Sequence, residues 1–414
     1  MAEPEGFTTK LIHTQFAKTD VHNSLNMPIY GNAAFEFATA EQMEEVFSGR
    51  STDHSYTRIS NPTVENLELR IKSVSGANTV TAVSSGMAAV ANTFMTIAWQ
   101  GANIVTSQYL FGNTYVFFNS TLREFGVEVR FVNLTDYEAV EKLVDQNTCA
   151  IFFETITNPQ LEIVDIAKLA DIAQRKNVPL ISDSTLTPPN IFRARDFGVN
   201  LEIISSTKVI SGGATSVGGL ILDHGTYNWA HSPKLAGFEK RFGLLAFHAK
   251  LRKEIFRNFG ACMSPFTAYL QTLGLETLQL RFNAAAQNCL QLANYLGSLP
   301  EVASVNYPGL PSSQFHEIGK LQFGEFPGTV LAFSFHTKDA AFNFVNKLRL
   351  IKRSTNLSDN KSLIIHPAST IYVDFGPERR AELQIGDAML RLSVGIENFS
   401  DLVADINAAI AASC

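Results

Sequence analysis

The sequence predicts an α/β protein: a large domain built on a mostly parallel sheet, followed by a smaller C-terminal α/β domain. Three observations predict it. From about residue 75, short β-rich runs alternate with helical stretches, the pattern of a parallel sheet covered on both faces. Near residue 245 the alternation stops and a long helical stretch begins. A second, shorter mixed region then closes the 414-residue chain, a length that suits two or three domains.

Taken in order, residues 1–50 lack strong periodicity except in "TAEQMEEVFSG", a predicted short helix. Such an arm is not expected to fold alone and is expected to lie on another subunit. The runs "ANTVTAV", "ANIVTSQ", "VEVRFVNL", "CAIFFETI", "VPLISDS" and "LEIISST" read as strands, and "VGGLILD" adds one more. Between several of them lie the helical segments "SSGMAAVANTFMTIA", "YEAVEKLVDQ" and "VDIAKLADIAQRKN". "SPFTAYLQTLGLETLQLRFNAAAQNCLQLANYLGS" reads as one long helix, with Ser264 as N-cap and Pro265 in its first turn. The last region holds strands "TVLAFSF" and "MLRLSVG" and helices near 338–350 and 399–412. The expected division is an arm over 1–60, a ligand-binding α/β domain over 61–250, and a C-terminal domain over 251–414.

Composition narrows the function. Hydrophobic residues make up 45% and charged residues 17%, as in a well-cored globule. A net charge of -6 without a basic block gives no electrostatic footprint for nucleic acid. The four cysteines show no CxxC spacing and the nine histidines no HxH or HxxxH spacing, so no metal site is expected. The N-terminus has no apolar h-region and no run approaches membrane-spanning length. A cytoplasmic enzyme is the expectation.

In open α/β sheets, ligands bind beyond the carboxyl ends of the strands. Ser84, Ser85 and Gly86 end one strand and open a helix whose free N–H groups suit a phosphate. Phe111 follows the next strand, Asn158 follows "CAIFFETI", Asp183 ends "VPLISD", and Ser205, Thr207 and Lys208 end "LEIISSTK". Singly, each has a bland reading as a cap or turn residue. Together they predict one ligand, pyridoxal 5'-phosphate (PLP). PLP needs a lysine for its aldehyde, a carboxylate for its ring nitrogen and a phosphate cradle. Lys208 and Asp183 take the first two parts. Ser205 and Thr207, with Ser85 and the backbone of Gly86 and Met87, take the third, and Phe111 covers the ring.

The chain resembles the Cys/Met metabolism family of PLP-dependent enzymes, a branch of PLP fold type I, the aspartate aminotransferase-like fold. "PIYGNAAFEF", "SYTRISNPT", "VSSGMAAV", "LFGNTY", "ETITNPQ", "SDSTLTPP", "SSTKVISGG", "IIHPAST" and "LRLSVGIEN" carry the likeness in order along nearly the whole chain. The resemblance implies a homotetramer of dimers with shared active sites, in which Tyr56 and Arg58 reach the phosphate of a neighbouring subunit. It also implies that Arg391 takes the substrate carboxylate, that Asn356 helps to hold it, and that Asn158 contacts the ring oxygen. A guanidinium fork suits the first of these tasks.

Within the family the choice is between γ-replacement and elimination. Phe111 stands where many members have a tyrosine over the ring, and a phenyl ring cannot pass protons. A thiolate leaving group benefits from protonation, whereas acetate leaves without it. Asn113 stands where methionine γ-lyases typically carry cysteine. "NLSDNKSLIIHPAST" and "GACMSPFTAYLQTLGLETLQLR" look most like the sulfhydrylase branch. The expected substrates are therefore an acylated homoserine and sulfide or another sulfur donor. The alternatives are O-succinylhomoserine as substrate, cystathionine synthesis, or γ-elimination from methionine or cystathionine. Ser184, Asn113 and Ser358 depart from the residues usual at their positions, which bears on substrate fit rather than on the cofactor.

Overall fold

Seven strands form the large sheet in the order β1-β7-β6-β5-β4-β2-β3. They are β1 (Thr79–Val83), β2 (Asn103–Ser107), β3 (Glu128–Val132), β4 (Thr148–Glu154), β5 (Leu180–Asp183), β6 (Leu201–Ile204) and β7 (Gly219–Asp223). Strands β2 to β6 run parallel, and β7 lies antiparallel between β6 and β1. The computed structural model describes residues 6–14, 20 and 22–413, so residues 1–5, 15–19 and 21 of the expected arm lie outside the described residues.

The sheet is sandwiched because its central strands are apolar on both faces. Ile104 and Phe152 point into one core with Phe94 and Phe118, while Val105, Ile151 and Phe153 point into another with Leu169 and Ile172. This is the period-2 pattern of a strand buried on both sides. The covering helices begin where the sequence supplies caps. Ser85 accepts from the Ala88 N–H at the start of Gly86–Ile97, and Asp165 caps Ile166–Lys176. A third core packs the Pro62–Ser75 helix, which the sequence reading passed over, against β1, β6 and β7.

The smaller sheet has five strands in the order β10-β11-β12-β9-β8. These are β8 (Val302–Asn306), β9 (Val330–Phe335), β10 (Lys352–Arg353), β11 (Leu363–Ile365) and β12 (Met389–Ser393). Helices Lys338–Lys347 and Phe399–Ala411 cover it.

One expectation changes. The long helical stretch is two helices, Pro265–Glu276 and Leu278–Gly297, broken at Thr277. The break has a local cause. The Gly274 carbonyl accepts from the Thr277 N–H and from Arg281 Nη2 (2.6 Å), so it is drawn out of the helical ladder. Core packing runs across residue 250. Phe247, Leu251 and Phe256 belong to one core of the large sheet, and Phe282 and Ala286 to another. Cys289 and Leu292, further along the Leu278–Gly297 helix, sit in the core of the small sheet. That helix therefore joins the two cores.

Candidate active site

The carboxyl ends of the large-sheet strands meet a cavity of about 500 Å³, closed on its far side by the small domain. Ser85, Gly86, Met87, Phe111, Asn158, Asp183, Ser205, Thr207, Lys208 and Arg391 all line it. Residues spread over more than 300 positions converge because successive strands end side by side. Asp183 ends β5 beside Glu154, its register partner at the end of β4.

At one end the chain is crowded to a cradle. A Cβ at Gly86 would lie 2.7 Å from the Cβ of Ser205, and one at Gly219 would lie 2.1 Å from the Ser85 carbonyl. Only glycines allow these loops to close, and closure brings the Gly86 helix N-terminus beside the Ser205–Lys208 turn. The Thr207 hydroxyl exchanges hydrogen bonds with Gly218, donating to its carbonyl and accepting from its N–H.

Lys208 is half-buried, and its Nζ donates to Asn356 Oδ1 at 2.9 Å. Burial, then repulsion from Arg391, lowers its pKa to about 8. A substantial share of the amine is thus neutral near physiological pH. Asp183 accepts at Oδ1 from the Thr185 N–H (3.0 Å) and hydroxyl (2.6 Å). Burial still pushes its pKa up, because these neutral donors do not offset the desolvation.

Arg391, on β12, is 1% exposed. Its Nη2 donates to the carbonyls of Asn356 (2.9 Å) and Thr355 (3.2 Å), and its Nη1 reaches Asn158 Oδ1 at 3.4 Å. Its buried Nε has no protein partner. Burial lowers its pKa to about 10, and it stays charged at neutral pH. A buried cation with donor capacity to spare, at a cavity wall, suits a carboxylate ligand.

Tyr56 and Arg58 do not join this cavity in their own chain. Tyr56 is exposed, the Arg58 guanidinium stacks over its ring at 5.4 Å, and Arg58 Nη1 donates to the Arg257 carbonyl. His366 bonds Ser369 and the Asp387 carbonyl, a structural part. Sequence reasoning missed Glu154. Its Oε1 accepts from the Phe111 N–H at 2.6 Å, and burial followed by the neighbouring Asp183 raises its pKa. The signal was present: a glutamate ending the apolar run "CAIFFE" needs an explanation.

PLP fits these residues. The glycine-closed cradle faces a helix N-terminus, a lysine of depressed pKa faces the cavity, and a half-buried carboxyl lining the same cavity is held only by neutral donors. The family comparison decides the matter: the model of the Cys/Met metabolism PLP-dependent enzymes matches residues 8–411. The chain belongs to that family. This Cys/Met metabolism enzyme is 36% identical to O-acetyl-L-homoserine sulfhydrylase 1 of Thermus thermophilus, over 98% of this chain and 100% of the relative. A solved O-acetylhomoserine (thiol)-lyase of Campylobacter jejuni superposes with a TM-score of 0.92 at 33% identity, covering 98% of this chain and 99% of that one. That structure carries N'-pyridoxyl-lysine-5'-monophosphate. An O-acetylhomoserine sulfhydrylase of Wolinella succinogenes is 45% identical, with a TM-score of 0.76, and covers 85% of this chain and 98% of its own. The fold is therefore that of the PLP-dependent Cys/Met enzymes, and the protein is a PLP-dependent enzyme. No helix among the described residues is long and apolar enough to cross a membrane.

Proposed function

We propose that the protein catalyses γ-replacement, forming L-homocysteine and acetate from O-acetyl-L-homoserine and sulfide. One observation carries the choice over elimination. Phe111 occupies the cavity wall, and no tyrosine of the same chain lines the cavity among the described residues. A leaving group at the γ-carbon therefore meets no phenolic proton donor from this chain. Acetate, a weak base, departs without one. A thiolate, a much stronger base, departs less readily without one.

PLP supplies an electrophilic carbon for the substrate amine and a conjugated ring that spreads the negative charge left when a C–H bond breaks. The rest falls to the chain. The N–H groups of Gly86 and Met87, with Ser85, Ser205 and Thr207, hold the phosphate. Asp183 holds the ring nitrogen, Asn158 the ring oxygen, and Phe111 covers the ring face. Arg391 holds the substrate carboxylate and so fixes which bond is broken. Lys208, freed by the incoming amine, takes the proton from the α-carbon at Nζ, would give it up to the conjugated system that the bound cofactor supplies, then takes a second from the β-carbon with the lone pair so regained, and returns a proton to each carbon after sulfur has added. A pKa of about 8 suits an atom that must both accept and return protons at neutral pH. Asn356 Oδ1 receives the freed amine. Tyr56 and Arg58, turned away from their own cavity, serve the phosphate site of a neighbouring subunit in a homotetramer of dimers.

Product analysis tests the proposal. The PLP-loaded enzyme given O-acetyl-L-homoserine is expected to yield homocysteine only when sulfide is present. Equal rates of α-ketobutyrate release with and without sulfide would make it an eliminating lyase on this substrate and sink the argument from Phe111.

A further inference from the structure

We infer that Asp359 is a positioning residue for the Lys208 amine and that it acts through the side-chain amide of Asn356. The amide bridges the two. Its Oδ1 accepts from Lys208 Nζ at 2.9 Å, and its Nδ2 donates to Asp359 Oδ2 at 3.2 Å. A carboxylate only accepts, so its presence forces the amide to turn its NH2 toward Asp359 and its oxygen toward the lysine. Without that carboxylate either face of the amide could meet the amine, and one of them presents a donor to a donor.

Asp359 is itself fixed. It is buried, and its Oδ1 accepts from the Lys361 N–H at 3.1 Å. The next residue, Asn360, donates its N–H to the Gly212 carbonyl at 2.8 Å, tying this segment to the turn that follows Lys208. Arg281 grips the same turn from the other side. Its Nη1 donates to the Val209 carbonyl at 2.9 Å, and the charge of Asp359 supports its protonated form. The lysine is thus set between a backbone held by Arg281 and an amide set by Asp359. The function proposed for Lys208 needs such a device, because the freed amine must serve two neighbouring carbons without drifting from either. This inference rests on Lys208 being the cofactor lysine.

The charges around the pair are few enough to give the effect a sign. Arg391, Asp183 and Glu154 share the Lys208 cavity, while Lys361 and Arg281 face Asp359. None of them changes in an Asp359 variant. An acceptor at 2.9 Å favours the ammonium form of Lys208, and a flipped amide disfavours it.

The test follows PLP uptake by the full-length chain, stripped of cofactor, as a function of pH, using the visible absorbance of the bound cofactor. Stoichiometric uptake by the parent chain at high pH, abolished as a covalent band in Lys208→Ala, tests the cofactor assignment separately. In Asp359→Ala the midpoint of the uptake rate is expected to fall by about one pH unit, the size of a lost hydrogen bond to a charged group. Asp359→Asn, whose single oxygen cannot accept from both Asn356 and the Lys361 N–H and whose NH2 can face the amide instead, is expected to lower the midpoint as well, by less than Asp359→Ala. Asn356→Asp, which sets a carboxylate against the amine, is expected to raise the midpoint by a similar amount. A uniform slowing at every pH in Asp359→Ala, with the midpoint unmoved, would show a loop-holding role only and overturn the inference. A midpoint shift when Asp359→Asn is added to Asn356→Ala, where no amide is left to act through, would overturn it independently, even if Asp359→Ala failed to fold.

Discussion

Replacing Arg391 by glutamine tests how the substrate is held. The guanidinium is almost wholly buried, tied to two backbone carbonyls at 2.9 and 3.2 Å, with its Nε left unpartnered at the cavity. If that spare capacity binds the substrate carboxylate, the variant leaves a desolvated charge without its partner, a loss of about 3–5 kcal/mol. At about 1.4 kcal/mol per tenfold, kcat/KM for O-acetyl-L-homoserine should fall by a factor between about 10² and 10⁴. A substrate cycle isolates the contact. The amine that lacks the carboxylate, O-acetyl-3-aminopropanol, should react as poorly with the parent enzyme as the full substrate does with Arg391→Gln. Removing both partners should cost little more than removing one. A second readout has its own sign. The Arg391 charge helps to depress the Lys208 pKa to about 8, so its removal lets that pKa rise. The acid limb of the pH–rate profile, which rises as Lys208 loses its proton, should move to higher pH. If the variant discriminates between the two substrates as strongly as the parent does, Arg391 is not the carboxylate site.

Three other perturbations follow from the same geometry. Asp183→Ala removes the half-buried carboxyl at the end of β5 and should weaken PLP retention and lower turnover by at least about 10², measured by dialysis and steady-state kinetics, because the ring nitrogen loses the carboxylate that keeps it protonated and able to draw in negative charge. Gly86→Ala places a methyl group 2.7 Å from Ser205 Cβ, so the cradle must open. The expected cost is about 1–3 kcal/mol, read as weaker PLP affinity by equilibrium titration while the parent fold is kept by circular dichroism. Phe111→Tyr should raise α-ketobutyrate release from thioether substrates by up to about 10²-fold through the added phenol, measured as keto-acid formation without sulfide. Unchanged release would remove the reason for preferring an acylated substrate.

Much of the large domain was legible because its signals are local. Strands such as "CAIFFE" and "LEII" are buried on both faces, and their residue types show it. The residues that line the cavity were legible for a related reason. They sit at strand ends, where a lysine or aspartate cannot be explained by packing. What the sequence did not reveal depends on contacts made across the chain. The break at Thr277 follows from Arg281 claiming the Gly274 carbonyl, while Gly274 packs so closely that a Cβ there would lie 2.3 Å from the Ile210 carbonyl. Helical periodicity runs straight through that point. The Pro62–Ser75 helix escaped notice because its buried face carries Asn66, Arg70 and Ser75 among its apolar residues, which dilutes the pattern. Glu154 showed itself as a charge ending an apolar strand, but its bond to the Phe111 N–H needed the fold. The part played by Asp359 needed the fold, since nothing in "NLSDNKS" shows that its carboxylate reaches an amide that in turn reaches Lys208.

The division of labour between the two sheets bears on how the enzyme selects its reaction. The groups of this chain expected to hold the cofactor in its own cavity, from the Gly86 cradle to Asp183 and Lys208, stand at the ends of the large-sheet strands. Of the groups that would hold the substrate, Arg391 stands on the small one and Asn356 in the loop between its strands β10 and β11. The orientation of the reacting bonds is then a matter of how the two cores are registered, and the Leu278–Gly297 helix is packed into both. Arg281 lies in its first turn and grips the Lys208 turn, while Asn288, further along the helix, donates to the Gly395 and Glu397 carbonyls just beyond β12. One rigid element thus contacts the backbone that carries the base and the backbone that follows the carboxylate-binding arginine. Because a misplacement of about 1 Å can cost about 10² in rate, such coupling is a direct way for a two-sheet protein to keep base and substrate aligned.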